Sequence, residues 1–304
     1  MHHHIKTRNW LFTPDAKNRG YIQPDLLREL WFHTGTICNL ECPFCFEGSS
    51  PGDSRIPALT YEDAKPYIDD AVALEVEKFC FTGGEPFVIR DIMKILAAAL
   101  EHCPCLVLTN ATEPLIRRLP DILPLAKKPN PLSFRVSLDF PDADKHDAGR
   151  GDGNFSKALK TAGKLYKYGF RISIARKQQS GENSLAIDEA YAPFLKQAGL
   201  PEDTHIISFP ELLLPFAKSN VPFITENCMT TYKSAHDRAA FMCNYSKMVL
   251  KVNGKMGVYA CTLVDDDDDY NLGTSLHEAM NTRIMLKHHR CFTCFAAGTS
   301  CSEN

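Results

Sequence analysis

The chain has 304 residues, with 34 lysines and arginines against 37 aspartates and glutamates, 44% hydrophobic residues and 23% charged ones. These are ordinary globular values, which exclude disordered, collagen-like and coiled-coil chains, and a formal charge of -3 with no basic stripe makes nucleic acid a poor partner. No apolar run approaches the roughly 18 residues of a membrane span. The start, MHHHIKTRNW, lacks the apolar stretch of a signal peptide, so the expected compartment is the cytosol, where thiols stay reduced. Twelve cysteines in such a chain point to metal binding rather than to disulfides.

Taken in chain order, residues 1–27 read as an N-terminal extension. From about 28 to 208, short β-branched runs alternate with longer amphipathic ones, the pattern of strand-helix units and a parallel sheet. Strands are expected at 28–34, 77–82, 104–109, 132–138, 170–175 and 204–209. Thr60 with Asp63 reads as a capping box, Asp91, Asn154 and Ser184 as helix starts, and Gly169 and Gly199 as stops. Six units are too few for a closed eight-fold barrel. The expected fold is therefore α/β, a partial TIM-like (β/α)6 barrel over 28–215 or an open doubly wound sheet, with ligands at the carboxyl ends of the strands in either case. Beyond it, 216–304 reads as a second, smaller unit. There VLKVNGKMGVYACTL suggests a hairpin turning at Asn253-Gly254, and Asp265 to Asp269 reads as a solvated loop.

The first cysteine cluster, Cys38, Cys42 and Cys45, follows the first strand in WFHTGTICNLECPFCFEG. The spacing would also put three thiols on one helical face, but Pro43 disfavours a helix interior, and Gly35 and Asn39 favour a loop. A structural zinc site wants four ligands, and a bacterial ferredoxin run would place a further cysteine three residues on. Here the next is Cys80. Three thiolates without a local fourth imply a [4Fe-4S] cluster with one iron open to an exogenous ligand.

This C-x3-C-x2-C after a first strand resembles the radical S-adenosylmethionine (SAM) superfamily. The likeness continues in FTGGEPF, where Gly83, Gly84 and Glu85 match the segment that lies against the methionine amino group. Thr109 and Asn110 resemble the TNG segment, Ser137 and Asp139 the SLD segment facing SAM, and Arg150-Gly151 the following RG. Arg150 and Arg176 are alternative partners for the methionine carboxylate, and Phe44 or Phe46 for the adenine. The resemblance implies that SAM chelates the open iron and is reductively cleaved to a 5'-deoxyadenosyl radical that abstracts a substrate hydrogen. A low-potential electron donor such as flavodoxin or ferredoxin would supply the electron.

The second cluster, Cys243, Cys261, Cys291 and Cys294, is C-x17-C, a gap, then C-x2-C. By spacing it would suit a zinc ribbon. Downstream of such a core it resembles the twitch or SPASM-like module, which holds an auxiliary [4Fe-4S] cluster. Cys301 and Cys228 are ambiguous thiols, and Cys80, Cys103 and Cys105 read as packing. The function expected from the resemblance is oxidation or crosslinking of a small molecule or peptide with help from the auxiliary cluster. With only about 27 residues before the first strand, no leader-recognition domain is expected there, which favours a small molecule or a peptide delivered by another protein. No catalytic base can be assigned: His33, His146, His205 and Tyr259 qualify by residue type alone. The alternatives are a non-catalytic iron-sulfur electron carrier or redox sensor, and a zinc-binding regulatory protein.

Overall fold

A computed structural model describes residues 9–210 and 212–297. Its strands are β1 (Tyr21–Ile22), β2 (Glu29–His33), β3 (Lys78–Thr82), β4 (Cys105–Thr109), β5 (Leu132–Ser137), β6 (Arg171–Lys177), β7 (Ile206–Phe209), β8 (Ser246–Val252), β9 (Lys255–Tyr259) and β10 (Ile284–Met285). The six expected strands are β2 to β7, each within two residues of the expected start and end. They pair in parallel in sequence order, with helices in the crossovers. This is the partial barrel architecture that the unit count implied.

Alternation along the strands separates two cores. Leu30, Phe32, Phe79, Phe81, Cys105 and Val107 pack with the crossover helices. Their neighbours Trp31, Cys80 and Leu106 face the opposite side, among Met248, Tyr259, Cys243 and Cys261. Strands buried on both faces read as continuous apolar runs, which is why ELWFH and KFCFT stand out. Cys80, Cys103 and Cys105 are buried, as packing predicts.

The helix starts differ from expectation in three places. Thr60 and Asp63 do form a capping box at Tyr61–Ala73. Asp91, however, makes no cap bond to Ile92–Ala99 and accepts instead from the Tyr61 amide at 3.1 Å, tying two helices together. Asn154 lies inside its helix behind Gly153, whose φ of 75° suits glycine. Asn183 rather than Ser184 caps the next helix. The stretch 184–198 is two helices, Ser184–Glu189 and Ala192–Gln197, because Pro193 lacks the N–H that a continuous helix needs.

The hairpin is β8 and β9, turning at Asn253 (φ 48°) and Gly254 (φ 77°). It opens no sheet of its own: β8 pairs in parallel with β2, extending the order to β7-β6-β5-β4-β3-β2-β8-β9. Residues of the N-terminal extension join this end, with β1 paired antiparallel to β10. The aspartate run is not a solvated loop. Asp265 packs against Glu47 and His33, Asp266 pairs with His288, Asp267 and Asp269 pair with Lys287, and only Asp268 of the five is exposed. Among the described residues no helix is long and apolar enough to cross a membrane.

Candidate cofactor cavity and cysteine sites

The loop after β2 is held by β3's own turn. Gly84 donates to the Gly35 carbonyl at 2.8 Å and Glu85 to the Ile37 carbonyl at 3.1 Å. A β-carbon on Gly84 would stand 2.2 Å from the Ile37 oxygen, and one on Gly83, whose φ is +128°, 2.7 Å from the Gly35 oxygen. The glycine pair was expected to admit a ligand. What it demonstrably admits is the backbone of the cysteine loop. That loop is not helical over Cys38 to Cys45, so Pro43 and Gly35 are read correctly.

Cys38, Cys42 and Cys45 are half-buried and line one cavity with Phe44, Gly83, Gly84, Thr109, Asn110, Ser137, Asp139, Arg150 and Arg176. Its walls are the carboxyl ends of β3 to β7, where ligands bind in such sheets. Burial pushes the Cys38 thiol up to about 11 and raises Cys42 as well. These are neutral thiols at neutral pH unless a cation takes the proton's place, as metal coordination does.

Glu85 is the expected lining residue that stands behind the wall. It is 1% exposed, and its carboxylate accepts from the Asn110 amide at 2.8 Å, the Phe87 amide at 3.2 Å and the Thr109 hydroxyl at 2.9 Å. The glycine-glutamate turn is thereby bound to the end of β4. Burial raises its carboxyl to about 7 against these donors. A carboxyl raised above its ordinary 4.5 contributes stability that is complete below that value and lost as pH rises through about 7, some 3 kcal/mol in all. Glu85→Gln keeps an acceptor but no charge. Its melting temperature relative to the unmutated chain should climb between pH 5 and 8, and a flat difference would contradict this.

Asp139 and Arg150 face each other as an ion pair, with Arg150 Nη2 also 3.1 Å from Asp139 Oδ1. The Arg150 charge reaches Cys42 and Cys45. Gly149 lets Phe44 lie on the helix Ala143–Arg150, since a β-carbon there would meet the ring at 2.3 Å. Arg176, by contrast, is fully buried between Glu182 and Asp188, which neutralise it. Of the suggested bases, His146 accepts the Asp139 amide at 3.2 Å. Burial, with Arg150, holds it down at about 4, hence neutral. His205 is exposed at the start of β7, the end away from the cavity, and Tyr259 is buried beside a second cavity.

His33 belongs to a triad that sequence reasoning missed. His33, Glu47 and Asp265 bring their ligand atoms within 4.8 Å of one another. His33 Nδ1 accepts the Gly35 amide at 3.1 Å, so its Nε2 carries the proton, 3.1 Å from Glu47. That tautomer is a hydrogen-bond donor, not a metal ligand. Against burial, His33 lowers Glu47, while burial and the Glu47 charge raise Asp265. Glu47 lines the cofactor cavity and Asp265 the second one. A 218-residue separation hid the pair, and nothing local in the sequence marks it.

Cys243, Cys261 and Cys291 are buried, and Cys294 is half-buried. The Cys261 thiol feels all three others. Burial pushes Cys243 up to about 12 and Cys291 to about 11. Cys228 bonds Thr225 at 3.2 Å, and Cys301 lies outside the described residues.

Residues 32–176 match the family model of the Radical SAM superfamily. The chain carries a radical SAM domain. Domains of this superfamily bind a [4Fe-4S] cluster and SAM, and the matched stretch supplies most of the cavity described above. The mycofactocin maturase MftC of Mycolicibacterium smegmatis is 29% identical over 147 residues, 47% of this chain and 36% of the relative. The GTP 3',8-cyclase of Marinobacter nauticus is 30% identical over 155 residues, 50% of this chain and 46% of the relative. The chain thus spans less than half the length of either. Among solved structures, Streptococcus suis SuiB bound to S-adenosylmethionine superposes with a TM-score of 0.61 at 17% identity, covering 84% of this chain and 66% of SuiB. The anSMEcpe structure with bound AdoMet gives 0.58 at 16%, covering 89% and 84%. These share the fold of the radical SAM domain with this chain.

Proposed function

We propose that the chain is a radical SAM enzyme that oxidises or crosslinks its substrate, with Cys38, Cys42 and Cys45 holding the SAM-binding [4Fe-4S] cluster. The observation that carries this is the convergence of those three half-buried cysteines with Gly83, Gly84, Asn110, Ser137 and Asp139 on one cavity at the strand ends. The bound cluster and SAM would supply reductive carbon-sulfur cleavage to a 5'-deoxyadenosyl radical. The chain's own residues would bind and orient. Arg150 is the better-placed cation for a carboxylate, because Arg176 is already neutralised by two acids. Asp139 holds Arg150 in place, neutral His146 holds the Asp139 backbone, and Glu85 fixes the Thr109-Asn110 corner. Phe44 gives the cavity an apolar wall against Gly149. An electron carrier has no use for such a cavity, which sets that reading second.

Cys243, Cys261, Cys291 and Cys294 are proposed to hold an auxiliary [4Fe-4S] cluster. Supporting this, the Cys261 thiol lies within electrostatic reach of the other three, and all four stand together at the buried end of the chain beside β8 and β9, three buried and one half-buried. With four protein thiolates it would pass electrons rather than ligate substrate. A peptide is the preferred substrate class: one relative is named a maturase, and SuiB has been crystallised bound to the precursor peptide SuiA. A flavodoxin- or ferredoxin-type donor completes the proposal. Anaerobic incubation of reconstituted protein with SAM and dithionite should release 5'-deoxyadenosine. Its absence from a protein with intact iron and sulfide would leave the carrier.

A further inference from the structure

Lys247 is the second residue of β8. In SKMVLKV a lysine two places before a Val-Leu pair would ordinarily face water. Here β8 is flanked by β2 on one side and β9 on the other, with Lys247 opposite Leu30, and the side chain has no exposed surface. Its ammonium donates to the carbonyl oxygens of Cys243 at 2.9 Å and Ser246 at 2.8 Å. The ammonium therefore lies against the Cys243 backbone, where burial lowers it to about 8 while the Cys243 and Cys261 thiols act the other way.

A lone ammonium inside a protein is costly unless an opposite charge compensates it. Two carbonyl dipoles solvate Lys247 without neutralising it. The two thiols beside it become anions only when a metal displaces their protons. A methionine or leucine would fill the same space at less cost, so the charge itself has to be accounted for.

We propose that Lys247 is the counter-cation of the auxiliary cysteine site, offsetting the thiolate charge of a [4Fe-4S] cluster on Cys243, Cys261, Cys291 and Cys294 and raising its reduction potential. This rests on the auxiliary-cluster reading above. Reduction adds one electron to an assembly that is already negative, and a fixed cation in a low-dielectric surrounding favours the reduced form. Pairing opposite Leu30 of β2 fixes its backbone, and the two carbonyl acceptors fix its ammonium. Lys247 thereby acts as a positioning residue for the cluster's electronics and touches no substrate.

The test uses the Cys38/Cys42/Cys45→Ala chain, which retains only the auxiliary site, reconstituted anaerobically and titrated potentiometrically with electron paramagnetic resonance detection. Lys247→Met and Lys247→Gln should each lower the reduced-to-oxidised ratio at a fixed potential at least tenfold, equivalent to about 59 mV for a one-electron couple. Lys247→Arg should stay within that interval. Glutamine keeps hydrogen-bond donors but no charge. An unmoved potential in both neutral variants, or one that glutamine alone restores, overturns the proposal. Loss of the auxiliary iron from the neutral variants but not from Lys247→Arg supports it in stronger form, whereas loss from all three reduces Lys247 to a packing role and overturns it. Absence of the auxiliary cluster from the parent chain refutes the auxiliary-cluster reading itself, a result distinct from an unshifted potential.

Discussion

Gly84→Ala should abolish iron uptake at the first cysteine site and lower 5'-deoxyadenosine formation by at least about 100-fold, the cost of an ångström-scale misplacement of a reacting group. The reason is that the added β-carbon would lie 2.2 Å from the Ile37 carbonyl oxygen and 2.6 Å from its carbon. Both are backbone atoms that cannot rotate aside, so the loop carrying Cys38 must lift away from β3. It would also lose the bonds from Gly84 to Gly35 and from Glu85 to Ile37. Gly149→Ala is the informative contrast. Its β-carbon meets only the Phe44 ring edge, a side chain able to shift, so overpacking should cost about 1–3 kcal/mol of stability while iron is retained. Far-UV circular dichroism and iron content of both variants decide the matter, and full iron in Gly84→Ala would sink the account of the double glycine.

Replacing Cys38, Cys42 and Cys45 together by alanine should reduce iron from about eight to about four per chain, at four per cluster, and eliminate 5'-deoxyadenosine. Alanine at Cys243, Cys261, Cys291 and Cys294 should likewise remove about four irons. That variant, however, empties a buried cluster of side chains shared with Tyr259, Tyr270 and Met248, and the fold near β8 should weaken with it. The unmutated chain is the decisive control: iron near four there would eliminate the auxiliary cluster. Because burial raises the Cys38, Cys42, Cys243 and Cys291 thiols, iron uptake at both sites should release protons and strengthen as pH rises.

Local chemistry in the sequence was enough for β2 to β7, since each is a short run rich in apolar residues, such as ELWFH and KFCFT, set between longer amphipathic stretches. It was also enough for the capping box at Thr60 and for the cysteine loop broken by Pro43. That most of the proposed site residues line one cavity was legible for the same reason. In a parallel sheet every strand ends on the same side, so Cys38, Gly83, Thr109, Ser137 and Arg176 could be assigned to one edge without coordinates.

Relations between distant residues were a different matter. That the double glycine clasps the cysteine loop, that Glu85 stands behind the wall, and that Arg176 is consumed by Glu182 and Asp188 all depend on side-chain directions. The aspartate run read as solvated because five like charges repel in isolation. Only in the folded chain do His33, Glu47, His288 and Lys287 arrive to partner them. Lys247, too, is buried only in the folded chain, where it stands opposite Leu30 of β2 and donates to the Cys243 and Ser246 carbonyls. Sequence alone determined the strands in chain order and which residues stand at their carboxyl ends. Tertiary structure decided which charges are buried and with whom, because desolvation and pairing act through space between segments that lie far apart along the chain.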